Sequence, residues 1–267
     1  MKNIIDSVRF GDFEMKYIKF GRGEKTLVII PGLSVQSVIP AADAIEKQYG
    51  IFSDEFTVFL FDRRSDLPEK YSIFDIANDT VRAMNALGLR DVYLFGVSQG
   101  GMIAQAIAIE HAELVSKLAL CSTTCCIDEK RFSVIGRWMS LAREGKKEEL
   151  FLTFGENIYP APVFDQYRAA FVEMAKGVTS SDVSRFIILA GSMIGFDVKD
   201  RISRIKCPVL VAGDDSDAVL GGDAAYEIAG LTGESSDVEL VMYSSFGHAV
   251  YDTAPDFTKK LYDFFMK

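Results

Sequence analysis

Apolar positions along this chain fall into two alternating patterns. The segments 26–32 (TLVIIPG), 56–62 (FTVFLFD), 91–96 (DVYLFG), 115–122 (VSKLALCS), 207–213 (CPVLVAG) and 238–244 (VELVMYS) are short, nearly continuous apolar runs. Such runs suit strands buried on both faces. Between them stand segments whose apolar residues return at helical spacing. In 72–88, Ile73, Ile76, Ala77, Thr80, Val81, Met84 and Leu87 share one face, and Gly88 supplies a C-cap. Further helices are predicted over 99–111, 223–231 and 254–266. The opening reads as a β-meander: a strand at 13–21, a turn in GRGEK and a second strand at 26–32.

Strands and helices in this alternation predict an α/β fold, a mostly parallel central sheet flanked by helices. The rhythm breaks near Cys125. From about 127 to 200 there is no clean strand, only helix-like pieces carrying Phe132, Trp138, Met139, Phe151, Phe154, Phe164, Tyr167, Phe171, Met174 and Phe186. The chain therefore divides into a core formed by 1–126 and 201–267 and a helical insertion over 127–200.

A chain of 267 residues, 49% of them hydrophobic, fits one α/β domain with a large core. Its formal charge of −9 argues against nucleic acid or an anionic membrane as a partner. No run approaches the roughly 18 apolar residues of a membrane helix, and the first residues lack the apolar stretch of a signal peptide. A cytoplasmic protein is the expectation. Cys121, Cys125, Cys126 and Cys207 match no zinc spacing and read as idle thiols of a reducing compartment. No Gly-x-Gly-x-x-Gly turn or Walker loop is present, so neither cofactor nor metal is expected. The sequence says nothing about oligomeric state.

The chemistry concentrates in Gly96-Val97-Ser98-Gln99-Gly100, a Gly-x-Ser-x-Gly pattern that follows a strand and opens a helix. In that context the glycines make room for a strained turn presenting a serine nucleophile. A serine needs a base, and the chain has two histidines. His111 ends the helix that Ser98 begins, roughly 18 Å away at the usual rise, and is read as structural or solvent-exposed. His248 follows the last strand, on the sheet edge that also holds Ser98, and is the candidate base. Asp214, Asp215 and Asp217 follow the strand at 207–213. Asp217, furthest into the loop, is the favoured acid and Asp215 the reserve.

With that order of Ser98, Asp217 and His248, the chain resembles the α/β-hydrolase fold superfamily over nearly its whole length. The resemblance rests on PGLS, FDRR, GVSQGG, CPVLVAGDDSD and FGHAVYDTAPDF. It implies a serine hydrolase acting on an ester or related acyl bond of a small, largely apolar substrate. It also implies an oxyanion hole from the backbone of Leu33 and Gln99, with the insertion as a cap. Counting along the family pattern from Gly213 lands on Ser216, so the acid is displaced by one to Asp217. The family's Asp-x-Arg-Gly-x-Gly turn is here Asp62-Arg63-Arg64-Ser65-Asp66-Leu67, to which no catalytic role is assigned. Arg137, Arg143 and Arg168 are expected to be solvated. Acyltransferases, aminopeptidases, carbon–carbon bond hydrolases, perhydrolases and some ligand-binding receptors share the fold, and they remain alternatives.

Overall fold

The computed structural model describes residues 3–232 and 236–267. Its strands are β1 (Ile4–Arg9), β2 (Glu14–Gly21), β3 (Lys25–Ile30), β4 (Phe56–Phe61), β5 (Val92–Val97), β6 (Val115–Cys121), β7 (Val209–Asp214) and β8 (Val238–Tyr243). They form one sheet in the order β1-β2-β4-β3-β5-β6-β7-β8. From β4 onward along that order the strands run parallel, and β2 alone runs the other way, pairing antiparallel with both β1 and β4.

The helices are α1 (Ala42–Gln48), α2 (Ile73–Ala86), α3 (Gln99–Glu110), α4 (Glu129–Arg143), α5 (Lys147–Ile158), α6 (Ala161–Lys176), α7 (Ser180–Gly191), α8 (Ala224–Thr232), α9 (Val250–Thr253) and α10 (Phe257–Met266). Burial follows from sequence. Leu27–Ile30 are buried, as an interior parallel strand requires, whereas β1 leaves Ile4–Asp6 exposed at the sheet edge. α3 is buried from Gln99 to Ile109, making it the central helix against the sheet. A Ser72–Asp75 capping box starts α2 and a Thr179–Asp182 box starts α7. No helix is long and apolar enough to cross a membrane among the described residues.

Two expectations need correcting. The strands at 13–21 and 26–32 are not neighbours in a meander, because β4 lies between them. The turn that joins them lies against the start of β4. Arg22 N–H donates to Ser53 O (2.9 Å) and Lys25 N–H to Glu55 O (3.2 Å), and a Cβ on Gly23 would overlap the Glu55 peptide. The predicted final helix also begins late. Pro255 holds Ala254 extended (ψ 116°), so the chain breaks between α9 and α10.

Between β6 and β7 stand α4 to α7. The two stems of this insertion pair with one another: Ile127 N–H donates to Phe196 O (2.8 Å) and Val198 N–H to Cys125 O (2.9 Å). Its foothold on the core is polar and buried. Arg185 of α7 bonds Asp62 at the end of β4 (2.7 Å), and Ile73 N–H donates to Ser192 O (3.2 Å).

Candidate active site

Ser98 links β5 to α3 with φ 53° and ψ −121°, a conformation that costs a non-glycine residue on the order of 1–3 kcal/mol. The surroundings hold it there. Ser98 N–H donates to Cys121 O (3.0 Å), and Ser98 O accepts from Thr123 Oγ1 (2.7 Å) and Gly101 N–H (2.9 Å). The glycines are required by packing. A Cβ on Gly96 would lie 2.5 Å from Gly100 O, and one on Gly100 would overlap the Ile30 carbonyl. Gly101 is equally constrained, its Cβ position falling 2.5 Å from Thr123 Cβ. Gly101 lies outside the Gly-x-Ser-x-Gly pattern, which therefore carries no signal for it.

Asp217 and His248 come from the loops after β7 and β8, on the same sheet edge as Ser98. His248 Nε2 is 2.9 Å from Ser98 Oγ, and His248 Nδ1 is 2.8 Å from Asp217 Oδ2. All three are buried. Asp217 Oδ1 accepts N–H bonds from Val219 (2.8 Å) and Leu220 (3.1 Å). Burial raises the Asp217 pKa. The charge and hydrogen bond of His248, with the two backbone donors, outweigh that and hold it below the usual carboxylate range.

The neighbouring aspartates do different work. Asp215 accepts from the exposed Tyr226 hydroxyl (3.2 Å). Asp214 ends β7 and braces both loops. Its Oδ1 accepts from Ser216 N–H (2.8 Å) and its Oδ2 from Phe246 N–H (2.8 Å), two residues before His248. His111 lies at the far end of α3, partly exposed, 3.9 Å from Glu113. Arg137, Arg143 and Arg168 are exposed, and Arg168 pairs with Glu156 and Asp165.

Gly32 lies against the elbow, its Cβ position 3.3 Å from Ser98 Cβ, so Leu33 enters from the loop after β3 directly beside the serine. Leu33 N–H has no protein acceptor among the described residues. Gln99 opens α3, and its N–H is one of those a helix leaves unpaired. The Gln99 side chain is fully buried and donates to Leu189 O (2.6 Å) and Ser192 Oγ (3.3 Å), which joins the elbow to the end of the helical insertion. On the other side of the site, Gly247 packs against Ile158 O, its Cβ position at 3.3 Å.

Of the insertion's large side chains, Trp138, Met139, Phe151, Phe164 and Phe186 are buried, while Tyr167 and Met174 are half exposed. Trp138 and Phe154 are in ring contact at 4.5 Å, and Phe154 meets Phe186 at 6.4 Å.

One group of potential metal ligands lies elsewhere. Cys125, Cys126 and Glu227 bring their ligand atoms within 4.8 Å of one another at the foot of the insertion. Arg131 Nη1 already stands among them, 2.9 Å from Cys126 Sγ and 2.8 Å from Glu227 Oε2, so a guanidinium supplies the positive charge there. Burial keeps the other thiols protonated, pushing Cys121 up to about 12 and Cys207 to about 11.

Comparison with known proteins agrees with this architecture. Residues 25–147 match the family model for the alpha/beta hydrolase fold. A putative carbamate hydrolase RutD from Caulobacter sp. (strain K31) is 27% identical over 219 residues, covering 75% of this chain and 77% of that protein. Among solved structures, an alpha/beta hydrolase enzyme from a Medee basin deep-sea metagenome library, MGS-M2, superimposes with a TM-score of 0.87 at 18% identity, covering 98% of each chain. The enol-lactonase from Burkholderia xenovorans LB400 gives 0.82 at 19% identity, covering 98% of this chain and 100% of that one. Sheet order, strand–serine–helix turn, the match over 25–147 and these superpositions together show that the chain has the alpha/beta hydrolase fold.

Proposed function

We propose that the protein is a serine hydrolase that cleaves a carboxylic ester or related acyl bond of a small, largely apolar molecule through an acyl-enzyme. The observation that carries this reading is the continuous relay from Ser98 Oγ to His248 Nε2 and from His248 Nδ1 to Asp217 Oδ2, at 2.9 and 2.8 Å. A serine hydroxyl becomes a useful nucleophile only when such a base takes its proton.

In the first half-reaction Ser98 Oγ attacks the carbonyl carbon while its proton moves to His248 Nε2. The oxygen that gains negative charge is held by the N–H groups of Leu33 and Gln99. Asp217 keeps Nδ1 protonated and stabilises the imidazolium. Collapse of the tetrahedral intermediate breaks the bond to the leaving group, which takes the proton from His248. Water then attacks the acyl carbon and gives a proton to His248; collapse of the second tetrahedral intermediate breaks the bond to Ser98 Oγ, which takes that proton back as the acid leaves. A ligand-binding protein has no need of all three groups in this register, which favours an enzyme over a receptor.

Trp138, Phe154 and Phe186 form one ring cluster across α4, α5 and α7, the helix whose Leu189 accepts from Gln99, and this supports an apolar acyl site. The names of the relatives widen the bond class to carbamates and lactones, which pass through the same tetrahedral oxyanion. The test is turnover of p-nitrophenyl esters of increasing chain length, an aryl carbamate and a simple lactone by wild type and Ser98→Ala. Saturable turnover of at least one class, lost in Ser98→Ala, supports the reading. Turnover that is equal in the two proteins contradicts it.

A further inference from the structure

Arg63 follows β4 and is buried at 6% exposure. One of its nitrogens, Nη2, donates both to Pro31 O (2.7 Å) and to Gln99 Oε1 (3.1 Å). These acceptors belong to the two arms of the oxyanion hole. Pro31 stands two residues before Leu33, and Gln99 is itself the other donor. Fixing Pro31 O stops the Pro31–Gly32 peptide plane from rotating, and that plane sets where the next N–H groups point.

The clamp is itself anchored. Arg63 N–H donates to Asp62 Oδ1 (2.8 Å), and Asp62 also accepts from Ser37 Oγ (2.5 Å) and from Arg185 Nη2 (2.7 Å). Gln99 has no spare amide group, since its Nε2 is taken by Leu189 O and Ser192 Oγ. Burial pushes Arg63 down to about 10, against the opposing pull of Asp62, so it is still a cation at neutral pH. A buried positive charge bonded to both arms also favours the negative charge that develops between them.

We propose that Arg63 is a positioning residue for the oxyanion hole, holding the Leu33 and Gln99 segments in register so that both N–H groups converge on one transition-state oxygen. This rests on the serine-hydrolase reading. An interaction that matters only in the transition state lowers kcat and leaves KM nearly unchanged. A donor displaced by about 1 Å costs on the order of 10²-fold.

The test uses Arg63→Met and Arg63→Lys with p-nitrophenyl acetate, benzeneboronic acid as tetrahedral analogue, and hydrogen–deuterium exchange of the amides at 32–35. Arg63→Met is expected to lower kcat per titratable serine by about 10- to 100-fold, with KM within about threefold. It should weaken the boronic acid by a similar factor and leave the acid limb of the kcat/KM profile in place, since Arg63 does not touch His248. Arg63→Lys recovers part of the loss through one remaining N–H. If kcat per titratable serine and boronic acid affinity are both unchanged, Arg63 only supports the fold and the proposal is overturned. Should the wild type neither label nor turn over an ester, the hydrolase reading fails separately. The exchange data then still decide the clamp, because unaltered protection of 32–35 in Arg63→Met contradicts it.

Discussion

His248 Nδ1 lies 2.8 Å from Asp217 Oδ2, whereas Asp215, two positions earlier on the same loop, accepts from Tyr226 instead. The two carboxylates are thus separable by mutation. Asp217→Asn is expected to cost on the order of 10⁴ in kcat, since the imidazole is left in the wrong tautomer and its positive charge uncompensated. Asp215→Asn should stay within about twofold, because an exposed bond to a tyrosine hydroxyl contributes little. Ester kinetics on the two variants check this, and a reversed ranking contradicts the assignment.

The same pair governs acid stability. Asp217 ionises below the usual carboxylate range when folded. A group depressed in this way stabilises the fold above its unfolded value of about 3.9 and loses that contribution as pH falls through the lower folded value. The Tm difference between wild type and Asp217→Asn is therefore expected to be full at neutral pH and to shrink below about pH 4. Thermal scans between pH 3 and 8 measure it. A difference that widens toward acid has the wrong sign for this account.

Gly100 tests the packing of the elbow. A methyl group there overlaps the Ile30 carbonyl, so β3 or α3 must move. Gly100→Ala is expected to cost about 1–3 kcal/mol, as overpacking does, and to cut turnover further by moving the serine away from Leu33. Gly50→Ala, which meets nothing within 4 Å, is the control and should stay within about 0.5 kcal/mol. Denaturant melts of both variants give the comparison.

The Arg185–Asp62 pair fastens the insertion to the core, with side chains 16% and 8% exposed. Asp62→Ala leaves the partly buried Arg185 guanidinium without its carboxylate and the Arg63 N–H without its acceptor, and the expected loss is about 3–5 kcal/mol. Proteolysis within the insertion should accelerate with it. Arg168→Ala, which removes exposed pairs to Glu156 and Asp165 and a contact over the Phe164 ring (4.5 Å), should change stability by about 1 kcal/mol at most.

What the sequence makes legible is local. Ser98 is visible because the close approach of α3 to β3 and β5 demands glycines at 96 and 100, a demand written within five residues. His248 is visible because only two histidines exist and one ends the wrong helix. Asp217 is half visible: its loop can be placed, but which of three aspartates turns inward depends on Asp214 being used by Ser216 and Phe246, contacts no spacing reveals.

Asp62 and Arg63 are legible as part of FDRR, but their role is not. Their partners lie just after β3 and on α3 and α7, and Arg185 is 123 residues from Asp62, so a family turn without its glycines hides the brace of the site. The order of β2, β3 and β4 is hidden for a related reason. Pairing there follows from the 22–25 turn lying over the start of β4, which is a contact between segments and not a property of either strand.

The central claim is that Ser98 is an activated nucleophile. Its most direct test is labelling with a fluorophosphonate, read by intact mass, on wild type, Ser98→Ala and His248→Ala. One adduct is expected on wild type, none on Ser98→Ala, and labelling slowed by orders of magnitude in His248→Ala. A wild type that stays unlabelled while a control hydrolase reacts, or an adduct that persists in Ser98→Ala, would contradict it.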